Sequence, residues 1–190
     1  MKTFRTLAVA AAAWLAAISA QAANSLPAGT VITAQVSGAS TTLLGLDHGF
    51  ADEAGSNTTM LAAADLEFLT GDAAVGIDFF SDGRVQVWNN TGLASLAGSY
   101  SFTFSFAGLS QPLASFTTLD MSGVTGGGVN LQLVDPHTIS LTLDNLNFTS
   151  EFGSFTTQLN VSAVPEPASL VLLGAGLGVL ALRRNRRAAA

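Results

Sequence analysis

Thirteen carboxylates, seven lysines and arginines and two histidines hold all the ionisable chemistry of this 190-residue chain apart from one tyrosine, and there is no cysteine. Eight of the acids fall between positions 47 and 82: Asp47, Asp52, Glu53, Asp65, Glu67, Asp72, Asp78 and Asp82. Such a cluster suggests two chemistries. Hard cations such as calcium take several oxygen ligands, often from loops, and the stretch DHGFADEAG could supply some. It does not follow the Asp-x-Asp-x-Asp-Gly spacing of a calcium loop, so solvated loop acids are the expected reading and no metal is assigned. Two carboxylates at a set separation could also hydrolyse a glycosidic bond. Sugar hydrolases commonly add aromatic platforms, and besides phenylalanine the central region offers Trp88 and Tyr100. Trp88 lies on the parity opposite Val85 and Val87. That fits a surface ring able to stack on a sugar, and equally a core ring in a strand buried on both faces.

The histidines add little. His48 follows Asp47 and His137 follows Pro136. A Ser-His-Asp arrangement needs one of them beside an acid and an activated serine, and no Gly-x-Ser-x-Gly nucleophile elbow occurs. The absence of cysteine excludes thiol catalysis and thiolate metal sites. No catalytic residue and no cofactor are therefore expected. The Asn-x-Ser/Thr pattern at Asn57, Asn89, Asn147 and Asn160 reads as chance in a chain rich in Ser and Thr.

The elements that must position these side chains are strands. In TVITAQVS, Ile32, Ala34 and Val36 share one parity and Thr33, Gln35 and Ser37 the other. Phe102, Phe104 and Phe106 alternate with Ser101, Thr103 and Ser105; Val129, Leu131 and Leu133 alternate with Asn130 and Gln132. Ile139, Leu141 and Leu143 repeat the pattern, and Phe155, Thr157, Leu159 and Val161 oppose Ser154, Thr156, Gln158 and Asn160. Period-two alternation needs one face on a core and one in water, as in antiparallel sheets. Ser81-Asp82-Gly83 predicts a hairpin, because Asp-Gly supplies the positive φ such turns need. The run SGVTGGG is expected to break the chain before Val129, and Asp135-Pro136-His137 to turn it again. A short helix around Thr59 to Leu66 competes with a strand in ADLEFLTG that puts Leu66 and Phe68 on one face; the strand is preferred. About nine short strands between turns predict an all-β fold, an antiparallel β-sandwich or jelly roll.

The two ends differ from this body. Lys2 and Arg5 precede an apolar run from Thr6 to Ser19, and Ala20-Gln21-Ala22 fits the small-x-small cleavage pattern. Residues 1–22 therefore read as a signal peptide removed by signal peptidase between Ala22 and Ala23. Between residues 23 and 164 one arginine, Arg84, faces twelve carboxylates, a net charge near −11. Phosphate backbones repel such a body, so no nucleic acid partner is expected. Without disulfides the domain must rest on an ordinary core, which about 140 residues can supply.

At the other end, Pro165-Glu166-Pro167 precedes an uncharged run, residues 168–182, and then Arg183, Arg184, Arg186 and Arg187. As a helix the run spans about 22 Å, short of the roughly 30 Å hydrocarbon core, and the arginines can stretch it by snorkelling. Gly174 and Gly178 form a Gly-x-x-x-Gly spacing that lets another helix approach. The arginine cluster would keep that end in the cytoplasm, leaving the body tethered outside the inner membrane. The two prolines hold the segment extended, with Glu166 as its one charged handle.

The ordered set VPEPASLVLLGAGLGVLALRRNRR, with a signal peptide in front, resembles a PEP-CTERM sorting signal spanning residues 165–187. The resemblance implies a C-terminal single transmembrane helix, processing by an exosortase, a membrane-embedded sorting enzyme, and a Gram-negative host with exopolysaccharide and biofilm machinery. It implies nothing about ice binding, a label under which the same tail is also grouped. The reading that follows is an exported, non-enzymatic envelope or extracellular-matrix protein, structural or associated with exopolysaccharide. A secreted carbohydrate-active enzyme with an Asp/Glu pair, or a calcium-stabilised binding module, are the alternatives.

Overall fold

The Phe-x-Phe-x-Phe run lies within the longest strand of a computed structural model that describes residues 25–62 and 65–162. Eleven strands follow one another: β1 (Val31–Gly38), β2 (Leu43–Gly45), β3 (Thr58–Met60), β4 (Phe68–Thr70), β5 (Val75–Phe79), β6 (Arg84–Asn89), β7 (Ser95–Ala107), β8 (Leu113–Asp120), β9 (Val124–Asp135), β10 (Thr138–Phe148) and β11 (Ser154–Val161). One 3-10 turn, Leu46–His48, interrupts them. No α-helix occurs among the described residues, and none of them forms a helix long and apolar enough to cross a membrane. The expected signal peptide, Pro-Glu-Pro motif, membrane helix and arginine cluster lie outside the described residues.

The strands form two antiparallel sheets, ordered β3-β1-β7-β10-β9 and β2-β4-β5-β6-β11-β8. Alternation dictates what each contributes. Register sets Phe104 between Ala34 and Ile139, and Phe102 between Val36 and Leu141. These side chains point to the same face, and all but the half-buried Val36 are fully buried. From the other sheet, Phe79 meets Phe104 edge-on at 5.1 Å between ring centroids and Phe68 meets it at 5.8 Å. The two apolar faces thus share one core. Full burial of each such phenylalanine contributes roughly 1.5–3 kcal/mol, and an aromatic pair adds about 0.5–1.5 kcal/mol. Every buried polar side-chain atom among the described residues has a hydrogen-bond partner.

The Ser81-Asp82-Gly83 turn forms as expected. Phe80 N–H donates to Arg84 O and Gly83 N–H to Phe80 O, both at 2.9 Å, with Gly83 at φ +83°. Asp82 closes the turn by accepting from Arg84 N–H at 3.0 Å and Nε at 2.8 Å. The Pro136-His137 turn likewise joins β9 to β10.

Three expectations need correction. There are eleven strands rather than about nine, because β2, β3 and β4 are three residues each, too short to show a period. The competing short helix around Thr59 to Leu66 does not form among the described residues: its start is β3, which pairs with β1. Leu66 and Phe68 do not share a strand face either. Phe68 begins β4 and is buried, whereas Leu66 precedes it and sits over Gly76, where an added Cβ would meet Leu66 Cδ1 at 3.2 Å. Finally, the SGVTGGG run breaks the chain only at its Ser122-Gly123 start. The turn is at Met121–Gly123, and Gly126–Gly128 lie inside β9 opposite an irregularity in β10. Gly127 takes φ +92° there, across from Asn145 at φ +45°, and a side chain would collide with the Asn145 carbonyl. The glycines let two backbones approach at a bulge rather than end a strand.

Candidate functional site

The eight acids between 47 and 82 do not converge. Asp47 follows β2 and accepts Met60 N–H at 2.9 Å, holding β3. Glu53 pairs with His48 Nδ1 at 2.7 Å on the surface. Asp72 accepts Ala74 N–H at 3.2 Å and the Tyr100 hydroxyl at 2.9 Å. Asp52 and Asp65 face solvent. Among the described residues no three His, Asp or Glu side chains are grouped to hold a metal ion.

Glu67 departs from the expectation of solvated acids, for it is wholly buried. It precedes β4 and reaches across to β5. One oxygen accepts Ala62 N–H at 2.9 Å and the other Phe79 N–H at 2.6 Å. Asp78, half-buried on the outer face of β5, shares a hydrogen bond with it. Burial pushes Glu67 up to about 8, against the pull of the two backbone donors and aided by the Asp78 charge. Burial raises Asp78 as well, opposed by the hydrogen bond from Glu67 and the charge of Arg84. At neutral pH Glu67 therefore keeps its proton and donates it to the Asp78 carboxylate. A carboxylic acid and a carboxylate in hydrogen-bond contact leave no room for a sugar, since glycosidases hold their pair about 5–9.5 Å apart. The pair fastens the 61–67 segment onto β5.

Tyr100 is no platform. It is 3% exposed, stacks on Phe102 at 6.2 Å and donates to Asp72. Burial and that hydrogen bond push its hydroxyl up to about 12. For Asp72, burial acts upward but is outweighed by hydrogen bonds from Thr70, Ala74 and Tyr100, which hold it below the usual carboxylate range. Trp88 does face outward, 38% exposed, between Gly76 and Ser154 in register. Leu93 (61%) and Phe152 (55%) are further exposed apolar side chains near Gly92, and Phe152 is held at φ +54° in the turn before β11.

The histidines occupy separate loops. His48 takes Glu53 as its partner, and His137 offers its backbone N–H to Asp135 at 2.7 Å. An open depression of about 360 Å³ is lined by residues 34–36 and 41–43, Ser56 and Asn57, none of which titrates. Asn89 is 1% exposed and bonds Leu93 O at 2.6 Å, so that sequon serves the fold. The Glu67–Asp78 and Tyr100–Asp72 contacts went unseen in the sequence. The one available signal was a glutamate wedged between Leu66 and Phe68 in an apolar run.

Two antiparallel sheets around a phenylalanine core define the body, and Asp47, Glu67, Asp72 and Asp82 are tied into it by hydrogen bonds. A match to a family model lies beyond that body: residues 163–187 match the PEP-CTERM protein-sorting motif. This is a protein carrying a PEP-CTERM motif, and that motif implies export and sorting by an exosortase. Neither the curated proteins nor the solved structures contain a match to the chain. Pro165, Glu166 and Pro167, expected as the sorting residues, and Arg183, Arg184, Arg186 and Arg187 fall within the matched segment.

Proposed function

We propose that the chain is an exported, non-enzymatic β-sandwich module, delivered through its C-terminal tail to the cell envelope or extracellular matrix of a Gram-negative host. Signal peptidase frees Ala23. Residues 168–182 then hold the precursor in the inner membrane, with Arg183, Arg184, Arg186 and Arg187 on the cytoplasmic side, until the exosortase acts at Pro165-Glu166-Pro167. The observation that carries this reading is the sorting motif at residues 163–187, placed directly after the last strand of the body. The dispersal of the acids, and the hydrogen-bonded Glu67–Asp78 pair, favour a structural body over a glycosidase or a calcium module. Trp88, presented outward on β6, supports association with exopolysaccharide, since an exposed indole face can stack on a sugar ring.

The test is expression of the full chain in a host with and without an exosortase. Loss of the tail in the first host alone is expected. Equal retention in both would refute the reading.

A further inference from the structure

The two sides of the body are built differently. On one side the sheets end in β2 and β3, three residues each, beside Asp47, Asp52 and Glu53. On the other they end in β8, eight residues, and β9, twelve residues, consecutive strands joined at residues 121–123. Among the described residues nothing pairs along the outer edge of β9. An open edge presents a row of backbone donors and acceptors, which proteins usually blunt with charge, proline or brevity. From Val124 to Val134 this edge has no charge and no proline. Beyond the Gly127 bulge, residues 128–133 run in unbroken register with β10. Their inward side chains Val129, Leu131 and Leu133 pack on the core yet stay half-buried, and Val134 is 52% exposed.

We propose that β9 is a self-association edge, at which two copies of this chain pair antiparallel over residues 128–134. Three observations select a second copy. Antiparallel pairing about a two-fold axis is self-complementary, so one edge suffices for both partners. With Leu131 facing its own copy, Val129 meets Leu133 on the inner face and Asn130 meets Gln132 on the outer. The apolar faces then extend each other, and amides pair with amides. Charge acts in the same sense. Two bodies each near −11 repel except where they can meet without acids, and residues 124–134 hold none; Asp135 closes β9 beyond the paired stretch and Asp144 stands across from Gly128 on β10. The pairing would make one continuous sheet across the two copies and cover the half-buried valine and leucines.

The absence of native cysteine provides the test. Asn130→Cys and Gln132→Cys, both on exposed outward positions of β9, are made in the full chain and oxidised singly and as a mixture. Ser105→Cys, also exposed but on β7 between β1 and β10, is the control. Because residue 130 faces residue 132 of the other copy, a disulfide-linked dimer that forms most in the mixture and is absent from the control is expected. The Asn130→Lys/Gln132→Lys double variant, checked for wild-type circular dichroism, should elute as a monomer. No more dimer than the control, or a dimer that survives the lysine pair, would overturn the proposal.

Discussion

Replacing Pro165, Glu166 and Pro167 with alanine is expected to leave export intact and abolish removal of the tail. On the proposed reading export depends on residues 1–22, which the change does not touch. The two prolines lock φ near −65° and remove backbone donors, and each biases the residue before it toward extended conformation. A three-alanine segment has no such bias and high helix propensity, so it would join the helix proposed for the apolar run instead of standing off as an extended peptide. It also loses the only carboxylate between Glu151 and the end of the chain. Glu166→Gln separates the two contributions: it keeps the extended backbone and removes the charge, and should lower processing without ending it. Immunoblots of membrane and released fractions, probed at both ends of the chain, read the outcome. Unchanged processing of the triple variant would show that the enzyme reads something else.

The second large effect is at Glu67. Glu67→Ala leaves the Phe79 and Ala62 N–H groups without their acceptor and Asp78 without its donor. An orphaned buried polar group costs about 1–3 kcal/mol, so a loss of roughly 2–5 kcal/mol in urea unfolding is expected. Glu67→Gln keeps an acceptor oxygen and an N–H donor and should lose less. The pH dependence has a definite sign. The folded pKa, about 8, exceeds the ordinary value of 4.5, so the native state holds the Glu67 proton more tightly than the unfolded chain. Its contribution is complete below pH 4.5, declines as pH rises, and is gone above about 8. Asp78, also raised, acts in the same sense. Asp72 and Asp82 are lowered, so their contributions are present above the ordinary carboxylate pKa and lost only in acid. Wild type should therefore lose on the order of a few kcal/mol between pH 5 and pH 9, and Glu67→Gln markedly less. Since repulsion among the remaining acids acts on both proteins, the difference between the two slopes is the measurement. Parallel slopes would mean that Glu67 is ionised in the folded protein.

The parts legible in the sequence are those governed by local pattern. Phe102, Phe104 and Phe106 announced β7 because a half-buried strand must alternate, whereas the parity of Val85 and Val87 left Trp88 open between surface and core. Asp82-Gly83 fixed its hairpin through one residue's φ. The sorting motif was readable for a similar reason: prolines, apolar run and arginines follow one another in order. What escaped depended on distant chain. β2, β3 and β4 are strands only because β4, β1 and β5 lie beside them. The Gly126–Gly128 run is a strand because Asn145, far along the chain, bulges toward it. Glu67 is buried with its oxygens on the Ala62 and Phe79 N–H groups, and no spacing rule sets residue 67 beside residues 62, 78 and 79.

The most direct test of the account is the intact mass of the protein recovered outside the inner membrane of an exosortase-bearing host. The account predicts a chain that begins at Ala23 and lacks the apolar run and everything after it, residues 168–190. A mass that still includes those residues would contradict it.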